Sequence, residues 1–477
     1  MKKLIVIVLS AMSMMASVRA EVVRASCYDP VGKTNISVNA IKVTESTAVF
    51  ERYKWYIVKD VVECSGIIVK GTANLILADD AKLTVNGDRG CAGIGVVKGK
   101  VLRIWGQEKG TGCLVANGGH FGAGIGSGER EASGMITING GTVTATGSSG
   151  AGIGGGAVGG AGGTVTINDG TVTATGYTGI GGGPGGAGGM ITINGGTVTA
   201  TGDEGAGIGG GSDGAGGMIT INGGTVTATG SAGIGGGVAS KGKGVRVTIN
   251  GGTVTATGCS GAGIGGGYRP SQPGRYKVKI DNDSVVVTIN GGMVVASSGR
   301  YGVGIGGGEG STGSTVTING GTVTATGDEG AGIGGGFAGV GGKVTINDGT
   351  VTATVNHGSC IGCGVNVKGC GGEVTINGGT IKVHSTDRYR DQSRLIRDPP
   401  KNKANAPVYC VTVEDVQEKA VIRGLPKSYG QNSIVPIDGK LYLYLPNGDY
   451  KFSVNGVAYA AVVNGKDTAA RLDKSNN

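Results

Sequence analysis

The sequence predicts an all-β protein: a parallel β-helix of about 11 or 12 coils, followed by a small antiparallel β domain. Two observations predict the β-helix. A motif recurs at about 28-residue intervals through the middle of the chain, and within each copy apolar residues alternate with Thr. Gly supplies 105 of the 477 residues and clusters at the breaks between these alternating segments, where a coil would turn. The chain has only 10 Pro and no three-residue Gly period, which excludes collagen.

The repeat is best seen in residues 136–147 (ITINGGTVTATG) and 150–156 (GAGIGGG). Neighbouring copies follow at nearly constant spacing, except for one longer interval between Asn250 and Asn290. A propeller blade would need about 40 to 50 residues, whereas about 28 residues suits one β-helix coil of two or three short strands. The Asn of the motif recurs at Asn139, Asn168, Asn194, Asn222, Asn250, Asn290, Asn319, Asn347 and Asn377.

Stacking of successive coils predicts which residues meet. At a strand spacing of about 4.8 Å, Ile138 should stack on Ile167, and Val143 on Val172. We expect the repeated Asn to adopt a left-handed backbone and to form a ladder of side-chain amides. The glycines after Asn139, and those of segment 154–156, should supply positive φ or close backbone approach.

The N-terminus predicts an export signal, residues 1–20, cleaved after Ala20. Lys2 and Lys3 precede an apolar run that is too short for a stable membrane span. Cleavage would remove Lys2, Lys3 and Arg19, so the formal charge would fall from +9 to 9 − 3 = +6. We therefore expect a soluble mature protein in the extracellular space, the periplasm or at the cell surface, without a transmembrane segment. The modest charge does not indicate a nucleic-acid partner.

Composition divides the mature chain into four parts. Residues 21–60 are expected to form an N-terminal cap, with Trp55 acting in the cap or core rather than as a sugar platform, as also expected for Trp105. Residues 61–385 form the repeat domain. Residues 386–404 are a basic linker, either a solvated connector or an anchor on an acidic glycan or envelope. Residues 405–477 alternate like antiparallel strands separated by Asn-Gly turns.

Threonines that alternate with inward Val and Ala should form a face of the solenoid. β propensity and a soluble hydroxyl face are enough to explain such a grid, and the alternatives are that it matches an ordered polysaccharide or ice. The candidate binding residues in the first three complete coils are Thr142, Thr144, Thr146, Thr171, Thr173, Thr175, Thr197, Thr199 and Thr201.

An insertion interrupts the repeat between Asn250 and Asn290. It carries Tyr268, Arg275, Tyr276 and Lys277, which ordinary coils lack. It is either a binding loop or a tolerated insertion.

No catalytic constellation is evident, so we predict no catalytic residues and no metal ligands. The carboxylate pairs Asp203-Glu204 and Asp328-Glu329 lie four repeats apart, too far to cooperate. Calcium at either pair is a weak possibility, and no other cofactor is expected.

Nine cysteines in an exported chain make disulfides the default expectation. Cys64 and Cys91 lie in similar segments one coil apart and are predicted to bond. Cys360 and Cys363 replace glycines of the preceding coil and predict a disulfide-stapled terminal coil. The spacing of His357, Cys360, Cys363 and Cys370 leaves zinc as an alternative.

The ITINGGTVTAT and GAGIGGG units resemble the right-handed parallel β-helix proteins of bacterial cell surfaces, a pectate-lyase-like superfamily with non-catalytic carbohydrate-binding members. Segment 445–450 (LPNGDY) resembles prealbumin-like β-sandwich modules. The resemblance implies an exported, non-enzymatic binding or adhesion protein of a bacterial envelope or extracellular space, with a polysaccharide or cell-surface glycan as partner. The alternatives are a structural spacer that displays the C-terminal domain, a polysaccharide lyase and an ice-binding protein.

Overall fold

The chain is described from a computed structural model. It describes residues 20–238, 244–268, 285–311, 314–365, 372–385, 396, 400–417, 419–426, 429 and 434–473. The predicted signal peptide, apart from Ala20, lies outside these residues. Within the described part of the chain, no helix is long and apolar enough to cross a membrane.

The repeat domain is a parallel β-solenoid, as predicted. Each full coil adds one strand to each of three sheets, which we name sheet 1, sheet 2 and sheet 3 in the order in which a coil visits them. The sheets have 14, 12 and 12 strands. From β13 onward an Asn-Gly-Gly or Asn-Asp-Gly turn joins sheet 1 to sheet 2, and glycine-rich loops lie on both sides of sheet 3.

Sheet 1 begins with an antiparallel hairpin and continues in parallel. Its strands are Val22–Asp29 (β1), Thr34–Lys42 (β2), Lys54–Val58 (β4), Thr72–Leu77 (β7), Val101–Gly106 (β10), Met135–Ile138 (β13), Thr164–Ile167 (β16), Met190–Ile193 (β19), Met218–Ile221 (β22), Arg246–Ile249 (β25), Val285–Ile289 (β28), Ser314–Ile318 (β31), Lys343–Ile346 (β34) and Glu373–Ile376 (β37).

Sheet 2 contains the Thr-Val-Thr-Ala-Thr segments. Its strands are Val61–Ser65 (β5), Lys82–Asn86 (β8), Cys113–Asn117 (β11), Thr142–Thr146 (β14), Thr171–Gly176 (β17), Thr197–Gly202 (β20), Thr225–Gly230 (β23), Thr253–Gly258 (β26), Met293–Ser298 (β29), Thr322–Gly327 (β32), Thr350–Val355 (β35) and Thr380–Ser385 (β38).

Sheet 3 consists of very short strands, most of them a single Ile-Gly pair. They are Val49–Phe50 (β3), Ile67–Val69 (β6), Ile94–Gly95 (β9), Ile125–Gly126 (β12), Ile153–Gly154 (β15), Ile180–Gly181 (β18), Ile208–Gly209 (β21), Ile234–Gly235 (β24), Ile264–Gly265 (β27), Ile305–Gly306 (β30), Ile333–Gly334 (β33) and Ile361–Gly362 (β36).

The interior is built from stacked rows of β-branched and small residues. Ile138 pairs with Ile167, which pairs with Ile193, and Val143 pairs with Val172, as the repeat predicts. All of these side chains have 0% exposed surface. Because each coil has little interior of its own, burial depends on its neighbours, as is typical of solenoids.

Glycine at the sheet 3 corner is required by both conformation and space. Gly154 has φ 133°, and a Cβ built on it would lie 2.0 Å from the carbonyl oxygen of Gly181 in the next coil. Any side chain there would push the coils apart, which confirms the predicted role of the glycines in segment 154–156.

The repeated Asn residues form a continuous ladder, which we call the Asn ladder. Along nine coils, each Nδ2 donates to the Oδ1 of the preceding Asn at 2.7 Å. The predicted left-handed backbone at Asn is wrong, since none of these nine residues has a positive φ. In the first copy the turn after Asn139 takes its positive φ from Gly140 and Gly141, the latter at 81°.

The solenoid begins inside the predicted cap. Strands β3 and β4 already belong to sheets 3 and 1, so the cap proper is the β1–β2 hairpin. Residues of this hairpin pack with Ile57, Ile76, Trp55 and Trp105 on the outer side of sheet 1. The two indole rings lie 5.7 Å apart, which confirms their predicted structural role.

The C-terminal domain has its own core and also contacts the last coils. It comprises a three-stranded sheet and a four-stranded sheet. The first contains Val408–Val413 (β39), Leu441–Pro446 (β41) and Thr468–Ala469 (β44), and the second Ile422–Arg423 (β40), Gly448–Val454 (β42), Val457–Val463 (β43) and Arg471–Leu472 (β45).

Apolar packing and backbone hydrogen bonds join this domain and the segment before it to the solenoid. Val408 and Tyr444 belong to the same buried cluster as the solenoid interior. Lys401, within the predicted linker, pairs with Thr375 of β37 and donates its backbone N–H to Val374 at 3.0 Å. Lys401 is therefore part of the last coil rather than of a solvated connector, and the domain covers a strand edge that would otherwise be open.

Candidate functional site

The predicted threonines form a regular surface on sheet 2, which we name the Thr face. It comprises the outward residues of β14, β17, β20, β23, β26, β29 and β32. The three candidate positions in β14 pair with the three in β17, and these pair with the three in β20. The intervening Val198 and Ala200 are 0% and 1% exposed, so alternation directs the Thr side chains outward.

The Thr face carries no charged side chain and is interrupted by one coil. That coil presents Met293, Val295 and Ser297 in place of three Thr, and Met293 is 49% exposed. The seven strands span about 29 Å at the usual strand spacing. A face of this kind offers hydroxyl groups at two fixed intervals, about 4.8 Å between coils and about 7 Å along a strand.

The C-terminal domain ends the Thr face on one side. The Thr350 hydroxyl donates to the carbonyl oxygen of Val435 at 2.9 Å, and Thr380 accepts the backbone N–H of Tyr442 at 2.6 Å. Lys382 forms an ion pair with Asp438. Thr350 and Thr380 are 6% and 0% exposed, so the C-terminal domain covers the start of β35 and of β38, beyond the Thr face.

Sheet 1 carries a second polar surface that the sequence analysis did not identify. Its central outward position is Thr in nine successive coils without interruption, and the Asn ladder runs beside it. The ladder residues in the middle coils are exposed. The Ile-Thr-Ile alternation predicts this column, because a Thr between two inward Ile residues faces outward. Only the longer Thr segments of sheet 2 were considered in the sequence analysis. The column consists of Thr137, Thr166, Thr192, Thr220, Thr248, Thr288, Thr317, Thr345 and Thr375.

A cluster of aromatic rings lies on the loops that flank sheet 3. We name it the aromatic edge: Tyr268, Tyr301, Phe337, Arg300 and Glu329. The rings of Tyr268 and Tyr301 lie 6.4 Å apart and nearly parallel, and those of Tyr301 and Phe337 lie 5.2 Å apart at 64°. Arg300 Nε donates to Glu329 Oε1 at 3.0 Å, and its guanidinium lies 5.2 Å from the centre of the Tyr301 ring.

The aromatic edge includes one predicted residue and adds two rings that sequence reasoning missed. Tyr268 begins the insertion, whereas Arg275, Tyr276 and Lys277 lie outside the described residues. Tyr301 precedes the strand β30 and Phe337 follows β33, so they belong to different loops of successive coils. They meet because sheet 3 is only two residues wide, so the loops before and after it converge. The available signal was an aromatic residue at each of these two loop positions, where most coils have none.

One carboxylate of each predicted pair accepts a hydrogen bond from a neighbouring side chain. Glu204 accepts a hydrogen bond from the Tyr177 hydroxyl at 2.9 Å, and that hydroxyl lies 2.6 Å from Ser212 Oγ. Burial, with the nearby carboxylates of Glu204 and Asp213, raises the pKa of Tyr177 to about 12. Among the described residues there is no group of three or more His, Cys, Asp or Glu side chains that could hold a metal ion.

The predicted bond between Cys64 and Cys91 is wrong, since both are thiols. The reason is the register. Cys64 lies opposite Val85, on β8, whereas Ile67 lies opposite Ile94, on β9. The turn between β8 and β9 is longer than the turn between β5 and β6, and it displaces Cys91 from the position beside Cys64.

The terminal cysteine cluster is only partly as predicted. Cys363 is disulfide-bonded. Cys360 is not, and its Sγ donates to the carbonyl oxygen of His384 at 3.2 Å. Cys370, the last member of the cluster, lies outside the described residues. The zinc alternative requires Cys370 and therefore stays a prediction.

Comparison with known proteins supports the architecture of the coils. Seven segments match a family model described as a beta helix repeat: residues 136–157, 191–212, 219–238, 247–268, 287–309, 316–337 and 344–365. These seven coils are similar to beta helix repeats. The matched segments run from sheet 1 through sheet 2 to the loop after sheet 3, and so include threonines of the Thr face and the rings of Tyr268, Tyr301 and Phe337. Searches of curated proteins and of solved structures found no match.

Proposed function

We propose that this protein is an exported, non-enzymatic binding protein that adheres to an ordered, neutral polysaccharide through the Thr face. The observation that carries the proposal is the register of the Thr columns over seven coils, broken only at β29. A hydroxylated polymer with a regular surface can form the same hydrogen bond at each coil.

The physical chemistry of Thr favours such a partner. A β-branched side chain has few χ1 rotamers, so binding costs less side-chain entropy than it would for Ser or Lys. Each single contact is weak, but many equivalent contacts act together on a rigid support. Because the face lacks charge, its partner is a neutral glycan rather than an acidic one.

The test is retention of the full mature chain on a panel of insoluble polysaccharides. A Thr199→Val/Thr227→Val double variant removes two exposed hydroxyls at nearly constant volume and should weaken retention. Thr84→Val is the matched control, because Thr84 lies on β8 of the same sheet, outside the Thr face. Retention of wild type that the double variant leaves unchanged would exclude the Thr face as the binding surface.

The same grid makes ice the second candidate ligand. Ice also offers a rigid lattice of hydrogen-bond donors and acceptors, in the form of water molecules, and uncharged Thr columns are compatible with it. Measurable ice shaping by the wild-type protein, lost in the double variant and without glycan retention, would replace polysaccharide by ice in this proposal.

A further inference from the structure

The aromatic edge combines three rings from successive coils with one ion pair. All three rings are partly exposed. The separation of 6.4 Å between the Tyr268 and Tyr301 rings exceeds the contact distance of about 4 Å for carbon atoms in direct contact. The two nearly parallel rings are therefore offset rather than fully overlapped, and each keeps part of its surface exposed.

Two carboxylates in and beside the aromatic edge, those of Glu329 and Asp328, are paired with side chains of the protein. Arg300 is paired with Glu329, and Asp328 accepts a hydrogen bond from Asn356 Nδ2 at 2.8 Å. Glu309 adds a further negative charge close to Tyr268 and contributes, after burial, to its raised pKa. One cation among three carboxylates disfavours an anionic ligand.

We propose that the aromatic edge is a second glycan contact, which binds the pyranose rings of a neutral polysaccharide chain laid along the solenoid axis. This inference rests on the proposed function and adds a specific site to it. The C–H bonds on one face of a pyranose carry partial positive charge and pack against the negative face of an aromatic ring.

Arg300 supplies the polar part of the same site. Its side chain is 71% exposed, and Nε is used for Glu329. The terminal N–H groups of the guanidinium are directed by this pair and can donate to sugar hydroxyls. Aromatic rings with one oriented Arg are the side chains that most often dominate binding energy at protein surfaces.

The experiment measures the affinity of the full mature chain for the neutral polysaccharide that retains wild type. Tyr301→Ala and Phe337→Leu should each weaken binding about tenfold or more. Tyr301→Phe keeps the ring and should bind as wild type does. Tyr177→Ala is the matched control, because Tyr177 lies in the corresponding loop four coils earlier and directs its hydroxyl to Glu204 and Ser212.

The outcomes separate this inference from the proposed function. No retention of wild type would overturn both. Retention that falls in Thr199→Val/Thr227→Val but is unchanged in Tyr301→Ala and Phe337→Leu would overturn the aromatic edge alone. Phe337→Leu keeps an apolar side chain, so it tests the ring even where Tyr301→Ala fails to fold. Stronger binding of an acidic than of a neutral polysaccharide would overturn the assigned ligand class.

Discussion

Replacing Gly209 by Ala tests the idea that close approach of coils, rather than composition, requires glycine at the corner of sheet 3. Gly209 has φ 140°, and a Cβ built there would lie 2.0 Å from the carbonyl oxygen of Gly235. A normal C···O contact is about 3.3 Å, so two coils must separate locally by about 1.3 Å. Placing Ala at this positive φ costs about 1 to 3 kcal/mol, and overpacking costs about 1 to 3 kcal/mol more. The free energy of unfolding should therefore fall by about 2 to 6 kcal/mol.

Gly159→Ala is the matched control. Gly159 also has a positive φ, 84°, but a Cβ there would meet nothing within 4 Å. For Gly159→Ala, only the cost of placing a side chain at a positive φ applies, about 1 to 2 kcal/mol. The assay is urea unfolding followed by far-ultraviolet circular dichroism, with midpoints compared at equal slope. If Gly209→Ala is no less stable than Gly159→Ala, close coil packing does not explain the glycines.

Three further predictions concern individual side chains. Thr178 is fully buried and its hydroxyl has no hydrogen-bond partner among the described residues, so Thr178→Val should raise the free energy of unfolding by about 1 kcal/mol; a lower urea midpoint would contradict this. Burial raises the pKa of Tyr177, so the folded state keeps this proton after the unfolded chain loses it. The contribution of Tyr177 to stability should therefore be constant below pH 10 and fall between pH 10 and 12, and Tyr177→Phe should show a smaller fall in urea midpoint; an equal fall would refute the assignment. Cys91 is exposed and should be alkylated in the native state, whereas Cys64, 3% exposed and with a pKa raised by burial, should react only after unfolding; a peptide linking the two in a non-reducing mass map would contradict the register.

The repeat allowed the solenoid to be predicted because its information is local and repeated. Alternation of Ile136 and Ile138 with Thr137 fixes which side chains face inward, and a spacing of about 28 residues fixes which residues stack. The same regularity predicted the Asn ladder. It did not predict the φ of Asn139, because Gly140 and Gly141, which follow it, supply the positive φ of this turn.

The features that sequence reasoning missed depend on irregular loop lengths and on contacts distant in the sequence. Cys64 and Cys91 match in motif but not in register, because the turn before Ile94 is longer than the turn before Ile67. The aromatic edge needs two loops to converge at a short sheet. Docking of the C-terminal domain on Thr350 and Thr380 links residues 85 and 62 positions apart, and no local pattern indicates such contacts.

The function proposed for this solenoid is to bind a neutral polysaccharide without altering it. The most direct measurement is a binding isotherm of the full mature chain on the insoluble polysaccharide, with released sugar measured in the same supernatants. We expect saturable retention and no released sugar. Absence of retention, or steady release of soluble sugar by a chain that binds, would contradict it.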